Sequence, residues 1–150
     1  MTNLELKKRI VSECLKIKTQ SVNQTKNEIA EIQLSANEYG LPKDRYDSFR
    51  TQLLRKRDLF SKQYQKALEE IQLLKKIEFT EECKTVCFGS VVLTDKQKLF
   101  VSISIGKINI DGNSYIAISP HVPLFKMMEG LKKGDKFMFN DNLFRVIDLF

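Results

Sequence analysis

Apolar side chains recur at helical spacing along the first half of the chain. Leu15, Val22, Ile29 and Ala36 stand seven apart, with Leu4, Val11 and Ile32 on the neighbouring row, across a segment 3–37 that contains no Pro or Gly. This pattern predicts a long helix with a coiled-coil seam. After a break at Gly40, Leu41 and Pro42, the spacing resumes at Tyr46, Leu53, Phe60, Ala67 and Leu74, flanked by Tyr64 and Ile71, so a second helix is expected to about residue 78. A reversal around Leu41 sets Ala36 opposite Tyr46, Ile29 opposite Leu53, Val22 opposite Phe60 and Leu15 opposite Ala67. The two stripes then cover each other within one chain, which predicts an antiparallel, monomeric hairpin. With about 35 residues per arm and 1.5 Å rise it would be roughly 50 Å long. Thr25 opposite Arg57 and Lys18 opposite Tyr64 interrupt the seam, as snorkelling side chains do.

From about residue 84 the period falls from 3.6 to 2. The segments "TVCFGSVVLT", "LFVSISI", "SYIAIS", "KFMFN" and "LFRVIDLF" are rich in Val, Ile, Phe and Tyr, and turn signals at "TDKQ", "IDGN", "EGLKKGD" and "NDN" separate them. They read as a compact antiparallel sheet, with "HVPLFKMMEG" as one short covering helix. The fold class is therefore α+β: a helical hairpin over 1–80 with its tip near 38–47, followed by a small sheet domain over 81–150.

Composition narrows the functional classes. The 150 residues are 42% hydrophobic and 29% charged, enough for small cores but not for a membrane span, and a cytoplasmic location is expected. Of the 25 Lys+Arg and 19 Asp+Glu, residues 1–80 hold 16 and 11, so most of the net charge of +6 belongs to the hairpin half. Cys14, Cys83 and Cys87 are too few and too odd for a disulfide framework, and with a single His they make a poor metal set, so they read as ordinary thiols.

Three groups of residues could carry chemistry. Glu38, Asp44 and Asp47 gather carboxylates around the turn, where hard oxygen ligands could face a divalent cation held largely by another molecule. Acids at a helix start more often serve as caps and dipole partners. Arg50, Arg55, Lys56 and Arg57 form a basic cluster suited to phosphates or an acidic surface, although such runs are usually solvated flanks. His121 has no nucleophile beside it. No phosphate-binding loop, dinucleotide fingerprint, nucleophile elbow or zinc pattern occurs, so no enzyme active site of its own is expected.

The closing segment, "ISPHVPLFKMMEGLKKGDKFMFNDNLFRVIDLF", resembles the end of the bacterial Gre transcript cleavage factors. Ser119, Pro120, Leu124, Gly130, Lys132, Gly134 and Asp135 occupy the matching places, and Phe88 with Gly89 resembles the strand that opens the same domain. With the N-terminal hairpin, the resemblance runs in order over nearly the whole chain. It implies an FKBP-like C-terminal domain that docks on RNA polymerase, with Ser119, Pro120, Phe125, Gly134 and Asp135 in the docking region. It further implies a hairpin inserted into the secondary channel, indirect contact with nascent RNA, and tip acids that share Mg²⁺ with the polymerase active site, with no cofactor of the chain's own. The tip departs from the family's Gly-Asp-Leu-Lys-Glu-Asn. Here Gly40, Leu41, Pro42, Lys43, Asp44 and Arg45 stand, so Asp44 matches the second acid and Leu41 replaces the first. The resemblance therefore leaves two readings open, stimulation of transcript cleavage or occupation of the channel by a non-cleaving regulator. A coiled-coil or RNA-binding adaptor is the more distant alternative. A prolyl isomerase is disfavoured by the absence of Trp.

Overall fold

The computed structural model describes residues 2–150. Its elements are α1 (Asn3–Tyr39), α2 (Phe49–Lys75), β1 (Val91–Thr94), β2 (Lys98–Val101), β3 (Gly106–Ile110), β4 (Asn113–Ile118), α3 (Pro123–Met128), β5 (Lys136–Phe139) and β6 (Asn142–Leu149). The chain divides into two compact units, Lys16–Gln72 and the described residues to Leu15 together with Leu73–Phe150. These limits differ from a division at 80/81, because the start of α1 and the end of α2 belong with the sheet.

In the Lys16–Gln72 unit the two helices pair along the expected stripe. Val22, Ala36, Ala67 and Ile71 are buried. The register, however, differs from the reading around Leu41. Lys18 Nζ reaches Glu70 Oε2 at 3.4 Å, Arg57 donates to Gln33 Oε1 at 2.6 Å, and the rings of Tyr39 and Phe49 lie 4.7 Å apart. The chain therefore reverses about Asp44, later than Leu41, and Tyr46 lies 77% exposed in the loop rather than in the seam opposite Ala36. The reason is local. Gly40 ends α1 at φ +77°, where a side chain would be strained, and its N–H donates to Ala36 O at 3.1 Å. Pro42 sits inside the following loop rather than in the first turn of α2, which begins only at Phe49.

In the other unit, α1 opens on a reciprocal cap. Glu5 N–H donates to Thr2 Oγ1 at 3.2 Å and Thr2 N–H donates to Glu5 Oε2 at 2.8 Å. The sheet runs in the order β3-β4-β2-β1-β6-β5, antiparallel except for β2 with β4. The periodicity picked out five strands; β3 is a sixth, joined to β4 through Asp111 and Gly112. Both residues have positive φ (50° and 81°), the signature of a two-residue type I′ turn. One face carries Val92, Leu99, Val101, Phe144 and Val146, onto which α3 packs Phe125 and Met128. On the other face Val91, Phe100, Ile108, Tyr115 and Ala117 are equally buried. Ile10, Val11 and Cys14 of α1, Leu74 of α2 and Ile77 just beyond it are also buried in this unit. Arg9 forms an ion pair with Asp111 at the β3–β4 turn, joining α1 to that end of the sheet.

Candidate functional site

The loop 40–48 between α1 and α2 brings together the tip residues singled out by the sequence. Asp47 organises it. Its Oδ2 accepts from Tyr39 Oη at 2.6 Å and from Lys43 N–H at 2.8 Å, while Oδ1 accepts the N–H of Phe49, the first residue of α2, at 3.1 Å. Both oxygens are thus committed within the loop. These bonds, the Tyr39 hydroxyl first, hold the Asp47 carboxyl below the usual range, and the same bond raises Tyr39 above the ordinary phenol value.

Asp44 is exposed. Its Oδ1 accepts the Tyr46 N–H at 2.7 Å, closing a short side-chain turn, and its backbone oxygen accepts from Asp47 N–H at 3.2 Å. Glu38 is exposed on the last turn of α1 and makes no hydrogen bond among the described residues. No three His, Cys, Asp or Glu side chains converge among the described residues in a way that could hold a metal ion. The tip is also apolar and cationic. Leu41 is 82% exposed, Lys43 Nζ lies 5.0 Å from the Tyr39 ring centroid, and Arg45 stacks over Tyr46 at 4.7 Å.

The basic cluster divides on inspection. Arg50 Nε contacts Ala36 O at 3.4 Å and Arg57 is paired with Asp58 at 2.8 Å, whereas Arg55 and Lys56 are exposed. The charge free to meet an anion is therefore centred on Arg55 and Lys56.

The chain is similar to solved structures. GreA factor homolog 1 protein of Thermus thermophilus superposes with a TM-score of 0.34 over 91% of this chain and 94% of its own, at 16% identity. No protein-family model and no curated protein matches the chain. Among the described residues no helix is long and apolar enough to cross a membrane.

The residues expected to dock a partner fall into three situations. Phe125 is only 5% exposed and belongs to the core beneath α3, which corrects its placement on a binding surface. Gly134 and Asp135 shape a turn: Gly134 adopts φ +93° and donates to Val146 O at 2.8 Å, while Asp135 Oδ2 accepts Lys132 N–H at 2.8 Å. Ser119 Oγ accepts the N–H of exposed His121 at 3.0 Å, and Pro120 is half-buried beside it. Ser119, Pro120 and His121 thus remain the surface part of that segment. Tyr39 is the tip residue that sequence reasoning passed over, since an aromatic one position before a terminating Gly gives no sign that it will hydrogen-bond an acid eight residues on.

Proposed function

We propose that the protein is a Gre-like factor associated with RNA polymerase, whose hairpin enters the secondary channel and presents loop 40–48 to the active centre. The observation that carries this reading is the tip itself. Two antiparallel helices are joined by a loop that contains Gly40, Lys43 and Asp44, the residues that match the family's tip motif in sequence, with Asp44 exposed. The sheet unit, with the "SPHVPLF" segment leading into α3, would supply the docking surface. Arg55 and Lys56 would add attraction toward RNA or acidic channel walls. The chain would act on the polymerase's own chemistry and carry none itself.

Between the two readings of that role, the non-cleaving one is favoured by a specific observation. Asp47, one of the two candidates to replace the acid missing at Leu41, has both oxygens engaged by Tyr39, Lys43 and Phe49. That leaves Asp44, with Glu38 on the preceding helix turn, to face a Mg²⁺ held by the polymerase. A loop with one uncommitted carboxylate, helped only by an acid from the end of α1, is a weak basis for positioning a second catalytic metal.

The deciding experiment uses a backtracked elongation complex with the wild-type chain, Asp44→Asn and Leu41→Asp. Transcript cleavage by wild type that is lost in Asp44→Asn at equal binding supports the cleaving role. Cleavage by Leu41→Asp alone supports the non-cleaving regulator. If none of the three displaces a cleavage factor from polymerase, the channel reading is wrong, and salt-sensitive binding to free RNA would then favour an adaptor.

A further inference from the structure

Lys7 lies on the second turn of α1, yet it is only 2% exposed. A buried ammonium requires an acceptor, and among the described residues no carboxylate forms an ion pair with it; its Nζ instead donates to Cys83 Sγ at 3.5 Å. The Cys87 thiol, four residues on and exposed, is held above its ordinary pKa, by partial burial first and then by the neighbouring Cys83. The half-buried Cys83 sulfur is thus the one that touches the buried cation, and a cysteine beside a lysine is the usual setting of a reactive thiol. A cavity of about 280 Å³ opens beside the pair, and its lining includes Lys7, Lys76, Glu78, Glu81, Cys83 and Phe88. Cys14 provides the contrast: it is fully buried, and its pKa is pushed up to about 12, chiefly by that burial.

We propose that Cys83 is a thiol-modification site for low-molecular-weight disulfides, with Lys7 at its sulfur as the positioning cation and Cys87 as the resolving thiol. The Cys83 thiolate attacks one sulfur of the small disulfide, forming a mixed disulfide and expelling one small thiolate. Cys87 then gives its proton to solvent and attacks Cys83 Sγ, expelling the second thiolate. Two protein thiols become one disulfide, and the small disulfide is reduced to two thiols once the leaving groups take up protons. This site is independent of the hairpin tip and of the polymerase reading.

The sequence provides a direct assay, because Lys84 lies between the two cysteines. Trypsin separates the peptides 77–84 and 85–96 when the thiols are free and leaves them joined when they are bonded. The folded full-length chain is treated with glutathione disulfide and digested after blocking of free thiols. The expected result is a joined pair in wild type, a persistent glutathione adduct on Cys83 in Cys87→Ser, and no reaction at Cys14. Lys7→Met, compared at equal helix content by circular dichroism, is expected to react roughly tenfold more slowly at Cys83. Cys87→Ser leaves Lys7 in place and tests the order of attack even if Lys7→Met fails to fold. The proposal is overturned if Cys14 reacts as fast as Cys83, if the first adduct forms on Cys87, or if a folded Lys7→Met chain reacts at the wild-type rate.

Discussion

Asp47 shows how a residue's chemistry can be visible in a sequence while its use is not. The acids around Gly40 are evident, but whether a carboxylate faces outward or closes its own loop depends on backbone geometry that spacing does not encode. Here Tyr39, Lys43 and Phe49 use both oxygens of Asp47. Asp47→Asn should therefore loosen the loop, with faster amide exchange at Lys43 and Phe49 and little change in the helices; unchanged exchange would dissociate Asp47 from loop order. The pH dependence follows in sign. The Asp47 pKa is lowered in the folded loop, so its contribution is present above the ordinary carboxylate value, about pH 4, and is lost as pH falls through the lower folded value. The Tyr39 pKa is raised, so its contribution is present below about pH 10 and is lost as pH climbs through the higher folded value. Protection of the loop amides should fall at both ends, and Tyr39→Phe should abolish the alkaline limb and shrink the acidic one, because the Tyr39 hydroxyl is the first cause of the Asp47 shift. Phe125 shows the opposite difficulty, since an aromatic in "SPHVPLF" reads equally well as contact or core. Its burial predicts that Phe125→Ala costs about 3–5 kcal/mol in urea unfolding, whereas Ser119→Ala costs far less.

At the scale of elements, the heptad stripe and the change of period at residue 84 were legible because burial imposes them directly on side-chain spacing. The hairpin register was not legible. It depends on the length of the loop, and the short polar turn made by Asp44 with Tyr46, together with the Asp47 bond to Phe49, delays α2 beyond Pro42. Strand β3 was missed for a related reason, since "GKINI" offers only two buried positions, Ile108 and Ile110, and reads as a continuation of the preceding segment. Gly40 gives the element-scale test. A Cβ there would meet nothing within 4 Å, so any penalty is one of backbone conformation rather than collision. Gly40→Ala should cost about 1 kcal/mol and Gly40→Asn less, because Asn tolerates the left-handed region. An Ala penalty well above that would point to a close approach at the tip that the open surroundings of Gly40 do not contain.

At the scale of the whole chain, the change of periodicity places a boundary near residue 80, but the compact units divide at Leu15 and Leu73. Periodicity marks where secondary structure changes type, whereas a compact unit is defined by what covers its apolar faces. Helix α3 covers one face of the sheet. Val91, Phe100 and Tyr115 on the other face are buried in a unit that also buries Ile10, Val11, Cys14, Leu74 and Ile77 at the helix ends. Each large apolar side chain of this kind contributes about 1.5–3 kcal/mol on burial, so together they rival the 5–15 kcal/mol that separates a folded domain from its unfolded state. A fragment of residues 81–150 should therefore bind a hydrophobic dye and unfold without a sharp transition. A chain in which residues 16–72 are replaced by a short Gly-Ser linker retains both helix ends and should unfold cooperatively in urea. It should also keep Arg9 next to Asp111 and Lys7 next to Cys83, visible as nuclear Overhauser contacts between those side chains. If the 81–150 fragment proves as stable as the linked chain, the helix ends are ornaments on a self-sufficient sheet domain and the boundary near residue 80 is the physical one.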